Sequence, residues 1–353
     1  MSRDKIDEAA QHWEEAMRRF RQCGDRWGIS VALGAFGYIA RLRGQYPQAA
    51  DLIHESMALF RELGDKAGVS YSLIRLANLA WRRGDYTEAM ALLQESLDIQ
   101  RERNNQEGII AALQSQALVA CLQGKFAQAT TLLSESAHLA QAREIATEIG
   151  DNLSFQALVF YSSNELDQAQ AFFEQSLAIF QPENETEGLA FSCYGLGLVA
   201  LKQGHYQLAA THLHESLRLW QLRGHKHHIA AALSNLGRLA LAQDDRESAA
   251  VHFRASLALY KVMVDKHGAA AALEGVANCI QPAAVAARLF GAAHALRQAI
   301  GAPVPPVDQN EHEQWLNRVH ATLGAPEFDM YWAEGSVLTY EQAITLALAQ
   351  CHN

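Results

Sequence analysis

The sequence predicts an all-α protein in which about seven helix pairs, each forty residues long, stack into a solenoid with a short helical cap at the carboxy-terminal end. Three observations carry this prediction. Related segments return every forty residues, and each period holds two turn signals with apolar residues at helical spacing between them. The chain also has only 7 prolines, most of them after residue 302, so that the rest of the chain can be helical.

The forty-residue period is visible in columns of small residues. Alanine fills one column without exception, at Ala9, Ala49, Ala89, Ala129, Ala169, Ala209 and Ala249. Seven residues later serine forms a second column, at Ser56, Ser96, Ser136, Ser176, Ser216 and Ser256. A third column, of glycine and alanine, comes earlier in each period, at Gly37, Ala77, Ala117, Ala157, Gly197, Gly237 and Ala277. Small residues at these positions would let two helix axes approach closely.

Two further columns mark the ends of helices. The first contains residue types that tolerate a left-handed backbone, at Asp4, Gly44, Gly84, Gly124, Asn164, Gly204 and Asp244. The second is at Gly24, Gly64, Asn104, Glu144, Asn184, Gly224 and Val264. Two turns in each period predict a pair of antiparallel helices. In the third period Glu144 and Glu148 stand where glycines are expected, and we therefore expect helix to continue towards Gly150 and to bend the solenoid there.

This pattern resembles the tetratricopeptide repeat. The resemblance rests on the spacing of the small residue, the alanine and the serine, and on an aromatic that opens the second helix, at Tyr46, Tyr86, Phe126 and Tyr206. It covers residues 4–302 and implies a right-handed superhelix. The usual repeat has about 34 residues, so the helices here should be about a turn longer, as in large bacterial regulators that resemble the activator of the maltose regulon.

The two ends of the chain depart from the period. Residues 1–302 are expected to form the solenoid, within which residues 1–27 align with a lone second helix of a truncated repeat. Residues 303–353 should form a proline-rich connector, "APVPPVDQ", followed by three short capping helices, the last of which has capping-box spacing at Thr339 and Gln342. The sequence around this connector also resembles the end of the repeat region in large LuxR-type regulators, which carry an ATP-binding domain before the repeats and a DNA-binding domain after them.

Composition excludes several classes of protein. A formal net charge of -10 argues against direct nucleic-acid binding, which depends on neutralising phosphates with Lys and Arg. The chain shows neither a membrane span nor a signal peptide, and its five cysteines are far apart, which favours the cytoplasm and reduced thiols. No motif for nucleotide hydrolysis, zinc proteolysis or serine hydrolysis is present, and the "GLGLVA" at residues 195–200 lies inside a predicted helix. We therefore expect no enzyme activity, no cofactor and no metal site.

Histidines and arginines form two local concentrations. His225, His227 and His228 span a turn, so a solvated polar edge is favoured over a metal site. The early repeats are locally basic, with Arg41, Arg43, Arg75, Arg82, Arg83, Arg101 and Arg103. Most of these arginines are expected to lie in solvent on helix faces, although some could hold an acidic ligand.

The resemblance implies that first-helix residues line a concave groove that binds partners. Tyr, Trp and Arg most often carry binding energy, because they bury a large area and keep a polar group available. The candidate binding residues are Tyr38, Arg41, Tyr71, Asn78, Trp81, Gln114, Tyr161, Phe191, Tyr194 and Arg238. The alternative is that several of them pack between repeats as ordinary core.

Two functional hypotheses follow. The first is a non-enzymatic sensor and interaction region of a LuxR-type transcriptional regulator without its ATP-binding and DNA-binding domains, in which a protein, a peptide or a small-molecule effector shifts the balance between two states. The second is a free-standing tetratricopeptide scaffold that binds a peptide or protein partner in its groove. An enzyme built from groove residues is a third reading, but their types and spacing indicate no reaction.

Overall fold

The computed structural model describes residues 3–349, and within that range the chain forms eighteen helices and no β-strand. Predictions for residues 1–2 and 350–353 lie outside the described residues. The helices are α1 (Arg3–Cys23), α2 (Arg26–Leu42), α3 (Tyr46–Glu62), α4 (Lys66–Arg83), α5 (Tyr86–Glu102), α6 (Gln106–Leu122), α7 (Phe126–Arg143), α8 (Ala146–Ser162), α9 (Leu166–Glu183), α10 (Thr186–Lys202), α11 (Tyr206–Arg223), α12 (Lys226–Ala242), α13 (Arg246–Met263), α14 (Lys266–Cys279), α15 (Ala283–Ile300), α16 (Pro306–Leu323), α17 (Ala325–Ser336) and α18 (Tyr340–Ala349).

The helices stack in chain order. After α1, which packs on α2, the chain forms seven pairs that run from α2 with α3 to α14 with α15, and each helix also packs on the next pair. This confirms the all-α solenoid of about seven helix pairs. The first helices α4, α6, α8, α10, α12 and α14 face the inside of the curve, and the three helices α16, α17 and α18 pack on α13, α14 and α15.

The predicted turn columns end the helices through left-handed residues, except at Asp4, which lies inside α1. Gly84 has φ +88°, and even the non-glycine members Asn184 and Val264 adopt positive φ. The expected continuous helix in the third period is wrong. Glu144 takes a left-handed conformation with φ 55°, α7 ends at Arg143, and α8 begins three residues later. Packing of neighbouring pairs thus overrides the local preference of the glutamate.

The small-residue columns hold the two helices of each pair together. Ala89 and Ala209 are fully buried, and a Cβ added at Gly37 would lie 2.7 Å from the Ile53 side chain of the facing helix. Five of the six column serines donate hydrogen bonds to carbonyls 26 residues earlier on the first helix of the same pair, for example from Ser56 Oγ to Ser30 O at 2.7 Å. Ser136 is the exception, because its hydroxyl is buried without a hydrogen-bond partner among the described residues.

The superhelix closes on itself, which the sequence did not predict. Helix α14 contacts α4, and one buried apolar cluster joins α2, α3 and α4 to α12, α13, α14 and α15. Tyr46 Oη lies 3.2 Å from Met263 Sδ, and Tyr86 Oη lies 2.8 Å from His267 Nδ1. The seventh pair thus packs directly against the second, and the inner surface becomes a cavity.

The carboxy-terminal helices complete this closure. Helix α16 begins at Pro306, four residues earlier than the predicted helix, so residues 301–305 alone cross from α15 to the inner surface. The backbones of α17 and α15 lie in close contact at Gly335, where an added Cβ would lie 2.0 Å from Arg288 O. At the start of α18, Thr339 and Gln342 exchange hydrogen bonds of 2.9 and 3.2 Å between side chain and backbone, which is a capping box.

Candidate ligand-binding cavity

The inner surface of the closed superhelix encloses a cavity of about 490 Å³. The first helices of six successive pairs, α4, α6, α8, α10, α12 and α14, supply most of its wall. Pro303, Pro305, Pro306 and Asp308 close one side. Its wall is mainly apolar, with a few charged groups, which is the usual character of a small-molecule site.

Six of the ten predicted binding residues line this cavity, and they come from helices far apart in the chain. They are Asn78, Trp81, Tyr161, Phe191, Tyr194 and Arg238. Trp81 Nε1 donates to Asn78 Oδ1 at 3.1 Å, and the Tyr194 hydroxyl accepts from Asn235 Nδ2 at 2.9 Å. Each of these two hydrogen bonds holds an aromatic ring in the cavity wall.

The other four predicted residues lie elsewhere. Tyr38 is stacked between the guanidinium groups of Arg41 and Arg75, at 4.8 and 5.3 Å from its ring centre. Arg75 also lies 4.1 Å from the ring centre of Tyr71, which is 56% exposed. These side chains join α2 to α4 and do not face the cavity. Gln114 is buried within α6, where its Nε2 has no hydrogen-bond partner among the described residues.

Aromatic and aliphatic side chains form the apolar wall. Phe155 and Phe191 lie with ring centres 5.9 Å apart, and Leu118, Leu158 and Leu198 extend the same surface. These residues occupy inward positions of consecutive first helices, because successive pairs repeat the same orientation. The wall can therefore accept the apolar body of a ligand.

A histidine cluster lies at the closure. The His228 ring stacks on Trp220 at 4.1 Å, and His227 meets Trp81 edge to face at 5.4 Å. His227 Nδ1 lies 2.7 Å from an Asp265 carboxylate oxygen. The prediction of a solvated polar edge is wrong, because closure of the superhelix covers these side chains. Among residues 3–349, no cluster of histidine, cysteine or acidic side chains could hold a metal ion.

Burial lowers the pKa of the histidines in this cluster. Burial lowers the pKa of His225 to about 4, although the charge of Glu187 acts to raise it. Burial also lowers the pKa of His267 to about 4. The pKa of His228 also lies well below its usual value, for the same reason. These rings are therefore neutral at pH 7, and protonation would place positive charge beside Arg41 and Arg82.

This burial makes stability depend on pH. A histidine with a lowered pKa in the folded state binds a proton first in the unfolded state, so stability is lost as the pH falls from about 6.5 to about 4. We expect His225→Gln to reduce the slope of unfolding free energy against pH in this window by up to about 1.4 kcal/mol per pH unit. Urea unfolding at several pH values measures the slope.

The matched control is His54→Gln, which changes an exposed histidine on α3 and should leave the slope as it is in the wild type. The result is the difference in slope between the variants, because protonation of Asp151 changes the unfolding free energy in the opposite direction. Although the Asp151 side chain keeps access to solvent, partial desolvation in the cavity wall and the charges of Glu185, Glu187 and Glu148 raise its pKa to about 7. Equal slopes for His225→Gln and wild type would contradict a buried neutral His225.

Arg238, which the sequence predicted to face a ligand, forms ion pairs with carboxylates of the same chain. Asp308 Oδ1 lies 2.6 Å from Lys202 Nζ and 2.5 Å from an Arg238 terminal nitrogen, and Glu311 contacts the same two cations. Burial alone would raise the pKa of Asp308, but Arg238 and Lys202 hold it well below its usual range. Helix α16 is therefore fastened to α10 and α12 by a partly buried network of four charges.

Sequence reasoning missed the burial of Arg82 at the opposite side of the cavity. Arg82 was grouped with arginines expected in solvent, yet it is only 6% exposed and lines the cavity. Its guanidinium lies 4.3 Å from the centre of the Trp81 ring. No local sequence signal distinguishes Arg82 from Arg83. Arg83 pairs with Asp85 and Glu88 at the surface, whereas contact with the sixth and seventh pairs buries Arg82.

Comparison with protein families gives one match. The tetratricopeptide repeat model matches residues 28–102, 68–141 and 189–261, which together are more than half of the chain. A search of curated proteins finds no significant match. Among residues 3–349, no helix has both the length and the apolar character that a membrane span needs.

Solved structures of similar fold come from several proteins. The signal transduction ATPase with numerous domains from Pyrococcus horikoshii, which has a tetratricopeptide repeat sensor, is 12% identical with a TM-score of 0.51; the match covers 98% of this chain and 54% of that one. BtubC from P. vanneervenii is 19% identical over 61% of this chain and 90% of its own, with a TM-score of 0.48. A Rap protein complexed with competence and sporulation factor is 14% identical over 99% of this chain and 86% of its own, with a TM-score of 0.47.

Proposed function

Since the chain belongs to the tetratricopeptide repeat family of helical interaction scaffolds, we propose that it is a non-enzymatic module that binds a ligand inside its closed superhelix. The ligand is a segment of a protein partner or a small-molecule effector. The cavity of about 490 Å³ carries this proposal, since it lies within the range of about 300 to 1,000 Å³ typical of ligand sites. Aromatic rings with fixed polar partners line it, as binding sites require.

The biological context that we propose is the sensor region of a LuxR-type transcriptional regulator. The sequence around the connector supports it, and the Pyrococcus horikoshii protein of similar fold uses its tetratricopeptide repeats as a sensor. Ligand binding would act by favouring one of two states of such a regulator. Closure of the superhelix offers a physical basis for two states, because the contact between the second and seventh pairs can form or open.

Filling the cavity tests the proposed site. Ala231 on α12 lines the cavity, and we expect Ala231→Trp to weaken binding of the neutral fluorescent probe phenylnaphthylamine at least about tenfold, or about 1.4 kcal/mol. The introduced indole occupies the space that the probe needs. Fluorescence titration measures the affinity. Val251→Trp on α13, where the side chain is 58% exposed, is the matched control and should bind like the wild type.

Two outcomes would count against the proposal. If the wild type shows no saturable binding, or if Ala231→Trp binds the probe as well as Val251→Trp does, the cavity is not a ligand site. The regulator context is tested separately by immunoblot of the producing cells: a band well above 38.9 kDa supports it, and a band at that mass supports a free-standing protein.

A further inference from the structure

Arg82 is a buried cation with no carboxylate partner among the described residues. Its side chain donates one hydrogen bond, to Asn78 O at 2.5 Å, and its Nε has no hydrogen-bond partner within residues 3–349. The other two arginines of the cavity wall differ in this respect, because Arg238 pairs with Asp308 and Glu311, and Arg297 pairs with Glu274 at 2.8 Å. A guanidinium has five N–H donors and stays protonated, so its burial without an anion is costly.

Neighbouring groups do not supply the missing anion. The charge of Asp265 acts on Arg82, but the two oxygens of Asp265 form hydrogen bonds with His227 and with the backbone N–H of Gly268. The surrounding histidines are neutral, as described above, and Arg41 adds a second positive charge. Arg82 and Arg41 thus place two positive charges here, and the one carboxylate that acts on Arg82 pairs with His227 and not with Arg82.

Packing alone does not account for Arg82. Contact with the Trp81 ring and one carbonyl oxygen gives a cation–π interaction and a single hydrogen bond. An apolar side chain of similar length would pack on the same ring without any charge to desolvate. A buried arginine that adjoins an open cavity is instead suited to an oxyanion, which accepts two parallel hydrogen bonds from a guanidinium.

We infer that the cavity takes an organic anion whose oxyanion group binds Arg82 at the closure and whose apolar body lies on the wall formed by Leu118, Phe155 and Phe191. This inference rests on the proposed function and specifies in addition that the ligand carries a negative charge. Carboxylates and phosphates share the chemistry required. Because Arg82 belongs to the second helix pair and His228 and His267 belong to the sixth and seventh, the bound group would also connect the two ends of the superhelix.

A pair of probes that differ by one anionic group tests the inference. Anilinonaphthalene sulfonate carries a sulfonate oxyanion, and phenylnaphthylamine has the same aromatic body without it. We expect the wild type to bind the sulfonate at least about tenfold more tightly than the neutral probe. Arg82→Met should abolish that difference, whereas Arg82→Lys should retain part of it. Arg83→Met, which removes the adjacent surface charge, should bind both probes like the wild type.

Thermal unfolding without ligand gives a second readout. We expect Arg82→Met to raise the unfolding midpoint, because it removes an unpaired buried charge. If Arg82 had only a structural role, its replacement would lower the midpoint. Equal binding of the two probes by the wild type, or an undiminished preference for the sulfonate in Arg82→Met, would overturn the inference while the neutral probe still reports on the cavity. Failure of both probes to bind would overturn the inference and the proposed function together.

Discussion

The double variant Asp308→Asn, Glu311→Gln is expected to lose about 3 to 5 kcal/mol of unfolding free energy, because it leaves Lys202 and Arg238 buried without counter-ions. The side chains of these two cations are only 12% and 16% exposed. Neither can regain full hydration while α16 stays in place. We therefore expect α16 to leave the inner surface, with an increase in the radius of gyration as well as the loss of stability.

Urea unfolding and small-angle X-ray scattering measure the two effects. The control is Glu95→Gln, which breaks the pair of Arg61 and Glu95 at 2.8 Å, with both side chains about half exposed; it should cost less than about 1 kcal/mol. A similar cost for the double variant and for Glu95→Gln would show that the four-charge network does not fasten α16.

The same network has a defined dependence on pH. Although burial alone would raise them, the charges of Arg238 and Lys202 lower the pKa values of Asp308 and Glu311 in the folded state. Their contribution to stability is therefore complete above the unfolded pKa values near 4 and is lost as the pH falls towards the folded values. Wild-type α16 should thus be released in acid, whereas in the double variant this part of the acid dependence disappears.

Gly84→Ala is expected to open the closure between the second and seventh helix pairs. Gly84 has φ +88°, and a Cβ added there would lie 2.2 Å from Ile300 Cγ2. The left-handed backbone costs an alanine about 1 kcal/mol, and the overlap with Ile300 adds about 1 to 3 kcal/mol. We expect a loss of about 2 to 4 kcal/mol in unfolding free energy and a larger radius of gyration.

Gly204→Ala separates these two contributions. Gly204 has φ +78° and occupies the same turn column, but a Cβ there would meet no atom within 4 Å. This variant should therefore show the backbone cost alone, with an unchanged radius of gyration. If the two variants lose equal stability and keep the same dimensions, Ile300 moves without cost and the contact at Gly84 does not maintain closure.

Within the candidate site, the sequence identified residue types better than their surroundings. Trp81, Tyr161, Phe191 and Tyr194 line the cavity because inward positions repeat with the forty-residue period. Tyr38 and Tyr71 follow the same period, yet their rings stack with arginines between α2 and α4. The period sets the direction in which a residue faces, whereas the side chains around it decide whether it meets a ligand or a neighbour.

By itself the sequence determined the helix pairs, their turns and the small residues at their contacts. These features depend on interactions within about forty residues, which every period repeats, as with the hydrogen bond from Ser56 to Ser30. Only the tertiary structure decided the closure, the cavity, the burial of His228 and Arg82, and the pairing of Arg238 with Asp308. The contacts of the closure and the pairing of Arg238 join residues 70 or more apart, as Tyr46 and Met263 are joined across 217 residues. They arise because small rotations between successive pairs accumulate until the chain meets itself. The sequence pattern within one repeat does not determine the total rotation.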